Sequence, residues 1–220
     1  MKETFAGGGF RGITGTMLLV LMTVMPAPAP AASIIDEWGA VTIPAPPQLR
    51  EVKLPAPTTA LLLLDFNRQV CNIERRPRCV ASVPAVSRLL RKAREKGALV
   101  VYSLTMGASV RDVAPELAAR PGDPVVTSGP DKFIGTELEK ILRDRRIKTV
   151  IVTGTAAHGA VISTAAGAAF RGMQVVIPVD GISAESLYPE QYTVWHLLNA
   201  PRVSTMTTVT KTELIGITGK

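Results

Sequence analysis

The chain has 220 residues, 46% of them hydrophobic, and a formal net charge of +7. That length and apolar share exclude a disordered or fibrous chain and are enough for one full core. The charge is spread thinly, with no Lys/Arg block and little aromatic interleaving, which speaks against nucleic acid and for small anionic molecules or surfaces.

In chain order, Lys2 and Arg11 precede a compact apolar run, Met17 to Met25, followed by Pro26-Ala27-Pro28-Ala29-Pro30-Ala31-Ala32-Ser33. A charged start, a short apolar centre and a small-residue end are the parts of a secretory signal, and Ala29-Pro30-Ala31 puts cleavage after Ala31. The run is shorter than the ~20 apolar residues of a spanning helix. No later stretch reaches that length, so the expected product is exported, periplasmic or secreted, without a membrane span. Loss of residues 1–31 removes two basic residues and one acidic residue, and +7 becomes +6. Residues 32–57 hold Pro44, Pro46, Pro47, Pro55 and Pro57 and read as an extended arm. Residues 58–220 are left as the domain.

Within it, short apolar runs predict buried parallel strands at Thr59–Asp65, Ala98–Leu104, Thr149–Thr153 and Gln174–Val179, with a last one at Val203–Val209. Between them, helical spacing predicts Val83–Lys96, Thr136–Arg146, an Ala-rich buried helix over Gly159–Arg171, and Glu190–Leu198 with Trp195 in the core. Strand–helix alternation of this kind means an α/β domain with a parallel sheet and helices on both faces. Ligands then bind at the carboxyl ends of the strands. That rule points to Asp65, the segment after Leu104, the turn after Thr153, and Asp180.

Asp65 follows four leucines. A carboxylate there is costly unless it is paired or at work, and it reads equally well as a loop or helix cap. The turn Gly154-Thr155-Ala156-Ala157-His158-Gly159-Ala160 joins a strand to a buried helix, and N–H groups at that helix start can hold an anion or oxyanion. Cys71 and Cys79 flank a polar, Pro-containing loop, which in an oxidising compartment reads as a disulfide. Arg68, Arg75, Arg76 and Arg78 lie on or beside that loop, either solvated or set to receive a carboxylate.

Taken in order, LLLLDFN from Leu61, FIGTELEKIL from Phe133, VIVTG from Val150 and Val179-Asp180-Gly181-Ile182-Ser183-Ala184 resemble the isochorismatase-like hydrolases, also called cysteine hydrolases. The resemblance runs from about Thr58 to the C-terminus. It implies a Rossmann-like three-layer α/β/α fold with a central parallel sheet, a small-molecule substrate, no cofactor and a homo-oligomer. Most of the family uses an Asp, Lys and Cys triad. The Asp matches Asp65. The Cys position, six residues after Gly154, is Ala160, which has no nucleophile. The Lys position, six residues before Phe133, is Thr127; Lys132, five residues later, is a further catalytic candidate that can reach the site by another route.

One branch, the isochorismatases proper, lacks the Cys and has an Ala-His turn similar to Ala157-His158. Its vinyl-ether hydrolysis uses the Asp as a general acid. His158 reads equally as a polar helix-start residue. The resemblance further implies substrate contacts at Arg68, Phe133, Ala156 and Ala157. The Asp-x-His pair of metal-binding members has no counterpart between Leu104 and Val110, so no metal is expected. Three readings follow: an exported hydrolase with an atypical site, an inactive member that binds a small anion or a partner, or an enzyme in which Cys71 supplies the lost thiol.

Overall fold

The computed structural model describes residues 1, 2, 4, 7, 8 and 32–219. The apolar run and cleavage pattern of the expected signal lie outside the described residues. Two compact units are present, Met1–Ala45 and Pro46–Lys220. In the first, Ser33 and Asp36 close a turn before a short helical turn at Trp38–Ala40, which buries nothing.

The second unit holds nine strands and four α-helices among the described residues. β1 is Val52–Pro55, β2 Thr59–Leu64, β3 Leu99–Leu104, β4 Val125–Thr127, β5 Thr149–Thr155, β6 Gln174–Pro178, β7 Ile182–Ser183, β8 Thr207–Thr210 and β9 Ile215–Thr218. The helices are α1, Pro77–Lys96; α2, Leu138–Asp144; α3, Ile162–Phe170; and α4, Leu187–Asn199. The main sheet has the order β4-β3-β2-β5-β6-β8, with β7 added to β5. All of its pairs are parallel.

The leucines of β2 show why the sheet is buried on both faces. Leu61 and Leu63 pack with Val83, Val86, Leu89 and Leu90 of α1. Leu62 and Leu64 join the opposite core with Leu138, Leu142, Ala165, Ala168 and Leu197 from α2, α3 and α4. Successive strand residues point to opposite faces, so a continuous apolar run is what a twice-covered strand requires. Burying each such side chain contributes about 1.5–3 kcal/mol. Among the described residues no helix is long and apolar enough to cross a membrane.

Two parts of the expected layout change. The arm does not extend to residue 57, because β1 lies inside it and pairs in parallel with β9. Pro55 is tolerated in β1 because each strand of a two-stranded pair is an edge strand, where the ladder accepts proline. The last main-sheet strand is Thr207–Thr210, and the residues before it form turns.

Candidate active site

The strand order reverses beside β2. From there β3 and β4 run one way, β5 and β6 the other. Such a switch point opens a crevice at the carboxyl ends of the two central strands. Asp65 follows β2 and the Ala156–Ala160 turn follows β5, so the fold brings these two predicted sites to one crevice.

Asp65 takes a left-handed backbone, φ 57°, which Asp visits more readily than most residues. It is 5% exposed. Ser103 Oγ, at the end of β3, donates to Oδ1 at 2.9 Å. Lys132 Nζ donates to Oδ2 at 2.8 Å, and Lys132 is itself 1% exposed. The ion pair is therefore buried on both sides.

The lysine arrives from an unexpected place. Thr127, reached by counting back from Phe133, ends β4 two strands from β2, and its side chain is exposed. By count the family Lys position falls on this threonine; of the two candidates the geometry puts Lys132 against Asp65. Residues 128–133 loop over the strand ends, and Lys132 Nζ turns back to within 3.3 Å of the Ser128 carbonyl. The ammonium thus lies beside the residue that follows Thr127. The loop is held from α3. Lys132 N–H donates to Thr164 Oγ1 at 3.2 Å, and that hydroxyl donates to the Pro130 carbonyl at 3.4 Å. Gly167 permits the approach, because a Cβ there would meet Phe133 at 3.0 Å and the Asp131 carboxylate at 3.2 Å.

The peptide bond between Thr155 and Ala156 is cis. It leads into one π-helical turn, Ala157–Val161, continuous with α3. Ala157 and Ala160 are buried, Ala156 is half-buried and His158 is exposed. No hydrogen bond leaves the His158 ring among the described residues, so the capping role expected for it is not present.

Three other assignments change. Phe133 is 5% exposed and packs into the α3 core, with the Arg171 guanidinium 4.3 Å over its ring. A side chain so placed lines the core and not a ligand wall. Arg68 pairs with Asp112 at 2.7 Å on the surface. Trp195, expected in the core, is 47% exposed because it stands on the outer face of α4.

Cys71 and Cys79 form a disulfide, with Cα atoms 5.4 Å apart. These are the only two cysteines of the chain, so the reading in which Cys71 supplies a thiol falls. The arginines of the loop are not all solvated. Arg76 is buried and pairs with Glu185 at 2.5 Å, and Arg78 pairs with Glu190 at 2.5 Å. Burial is the largest single influence on the Glu185 carboxyl and works to raise it, but the Arg76 hydrogen bond, a backbone hydrogen bond and the nearby positive charge together hold the group below its usual range. Loop and α4 are thereby braced together. Replacing both cysteines by serine is expected to lower stability by about 2–3 kcal/mol, from the entropy of the opened loop. Urea unfolding of the oxidised protein and the variant measures it.

Ser103 and Thr164 escaped the sequence reading. Each is a buried hydroxyl in a mostly apolar element, and that was the available signal. Among the described residues no group of three or more His, Cys, Asp or Glu is placed to hold a metal.

The isochorismatase domain model matches residues 59–211. The chain belongs to the isochorismatase family. Over 125 residues it is 31% identical to a secreted isochorismatase effector of Verticillium dahliae, a match covering 52% of this chain and 63% of that protein. The chain therefore spans less than two thirds of that relative's length. Among solved structures, an isochorismatase family protein of Burkholderia thailandensis superposes with a TM-score of 0.62 at 23% identity, covering 72% of this chain and 94% of the other. The N-carbamoylsarcosine amidase of Thermoplasma acidophilum gives 0.61 at 23%, covering 71% and 97%. At such identities the likeness establishes the fold, the three-layer α/β/α arrangement expected of an isochorismatase-family chain.

Proposed function

We propose that this isochorismatase-family chain is an exported hydrolase of a small anionic molecule, working through Asp65 and Lys132 without a cysteine nucleophile. The observation that carries the reading is the buried 2.8 Å ion pair at the switch point. An ion pair in that position is costly to bury, and stability alone is weak justification for it. Desolvated charge pairs in a strand-end crevice are typical of working sites.

The hydrogen bonds assign roles. Both Asp65 oxygens already accept, from Ser103 and from Lys132, which fits taking up a proton better than delivering one. The lysine ammonium has three N–H groups. One meets Asp65 and one the Ser128 carbonyl, which leaves the third for a substrate oxygen or leaving group. Ala160 presents only a methyl at the family thiol position, so water takes the attacking role. Its oxygen bonds to the electrophilic carbon as Asp65 removes its proton, and Lys132 protonates the departing group. The N–H groups of Ala157 and His158 open the helix and have no partner within it, so they stand as donors to a developing oxyanion.

Export is supported by the N-terminal pattern, by the disulfide and by the similarity to a secreted effector. Purified protein screened against esters, amides and vinyl ethers tests the reading. Asp65→Asn is expected to lower turnover about 10²–10⁴-fold. Turnover unchanged in that variant overturns the mechanism. A second reading, a binding protein, is favoured by one observation: both cysteines are locked in the disulfide. Saturable thermal stabilisation by an anion, with no turnover across the panel, would support it.

A further inference from the structure

A second concave site lies at the opposite edge of the sheet, where the strands begin. It is a cleft of about 410 Å³ between the end of α1, the starts of β2 and β3, the loop before β4 and the turn after α2. That volume is within the range of small-molecule sites. Arg94, Arg120 and Arg145 reach it from three different elements.

Their charges are unevenly committed. Arg94 pairs with Asp123 at 2.7 Å. All of its hydrogen bonds leave from Nη2, to Asp123, the Tyr102 hydroxyl and the Ala118 carbonyl. Its Nε is buried with no partner. Arg120 and Arg145 make no ion pair among the described residues. Arg94 and Arg120 both act on the Tyr102 phenol; burial pushes that group up to about 12 against their lowering influence.

α1 and α2 both end at this edge, and each helix end carries about half a negative charge. Two ends therefore oppose an anion with roughly one unit of negative charge, against two uncompensated guanidinium charges. The balance remains positive. Guanidinium groups that line one cleft from three elements suit a tetrahedral oxyanion, which accepts from several directions.

We propose that this arginine cleft binds a phosphate group. The site is separate from the Asp65 crevice and does not depend on the reaction performed there. Phosphate has two sources, a free or small-molecule phosphate and a lipid headgroup, and the experiment separates them.

Inorganic phosphate is titrated into the purified protein by calorimetry, with chloride at matched ionic strength as control. Phosphatidylcholine vesicles with and without phosphatidic acid are tested by co-sedimentation. The variants are Arg120→Gln/Arg145→Gln and, for general loss of charge, Arg88→Gln/Arg111→Gln, whose arginines are exposed and lie outside the cleft. Saturable phosphate binding is expected, weakened about tenfold or more per arginine removed in the cleft, the size of a charged hydrogen bond. Vesicle recruitment lost in the cleft variant but kept in the control identifies the headgroup. Binding of inorganic phosphate alone identifies a soluble phosphate. If neither probe binds beyond the chloride control, or if both double variants lose binding equally, the proposal is overturned.

Discussion

Lys132→Met is expected to lower stability by about 3–5 kcal/mol at neutral pH, because it leaves the Asp65 carboxylate buried without its partner. Turnover should fall with it, by about 10²–10³-fold, the usual cost of removing one donor aimed at developing charge. The double variant Asp65→Asn/Lys132→Met separates the two effects. With no charge left to strand, it should recover much of the lost stability and none of the turnover. Thr127→Ala is the control: it changes an exposed strand-end residue and should alter neither quantity. Urea unfolding and kcat/KM of the wild type and the three variants check this. A Lys132→Met protein with wild-type stability would mean that the pair is not buried as described.

The other large effect is expected at Gly154. This residue pairs with Leu64 across β2 and β5 and has φ 130°. A Cβ added there would lie 2.1 Å from the Leu64 carbonyl oxygen and 2.7 Å from its Cβ. Neither neighbour is the flexible end of a side chain, so the strands themselves must part. Gly154→Ala is expected to cost more than about 4 kcal/mol, the range of severe backbone and packing lesions. It also disturbs the end of β2 directly before Asp65. Gly159→Ala, five residues on, meets nothing nearer than the Ala156 Cβ at 3.8 Å, and its midpoint should stay near wild type. Soluble yield and denaturation midpoints compare the pair. Equal midpoints for the two variants would contradict the contact.

The central strands were legible in the sequence because parallel strands covered on both faces must be apolar throughout, and TALLLL or TVIVT has few other uses. The short edges were not. β4 and β7 have three and two residues, too few for any period to register. β1 alternates in burial, but Pro55 and the prolines around it masked the pattern. At the site, Asp65 and the Ala156–Ala160 turn were readable because each directly follows a strand. Lys132 was readable only as a candidate beside Thr127, because a six-residue loop can bring its nitrogen back to the strand end from several positions, and only the hydroxyl of Thr164 and the absent side chain of Gly167 fix which one does. Trp195 was assigned to the core on its size, yet α4 turns it outward.

The pairing of β1 with β9 bears on when the domain can form. Val52 finds its partner in Ile215, nearly the whole domain away along the chain, so this contact must be made late. Until residues 215–218 have been synthesised, β1 has no strand to join, and the segment leading into β2 stays loose. A polypeptide drawn through a membrane pore from its N-terminus benefits from such a delay. Under the export proposed above, the first strand would not lock into the tertiary structure while the remainder is still being threaded, and the two cysteines, which follow soon after that strand, would enter an oxidising space before the final pairing closes the domain.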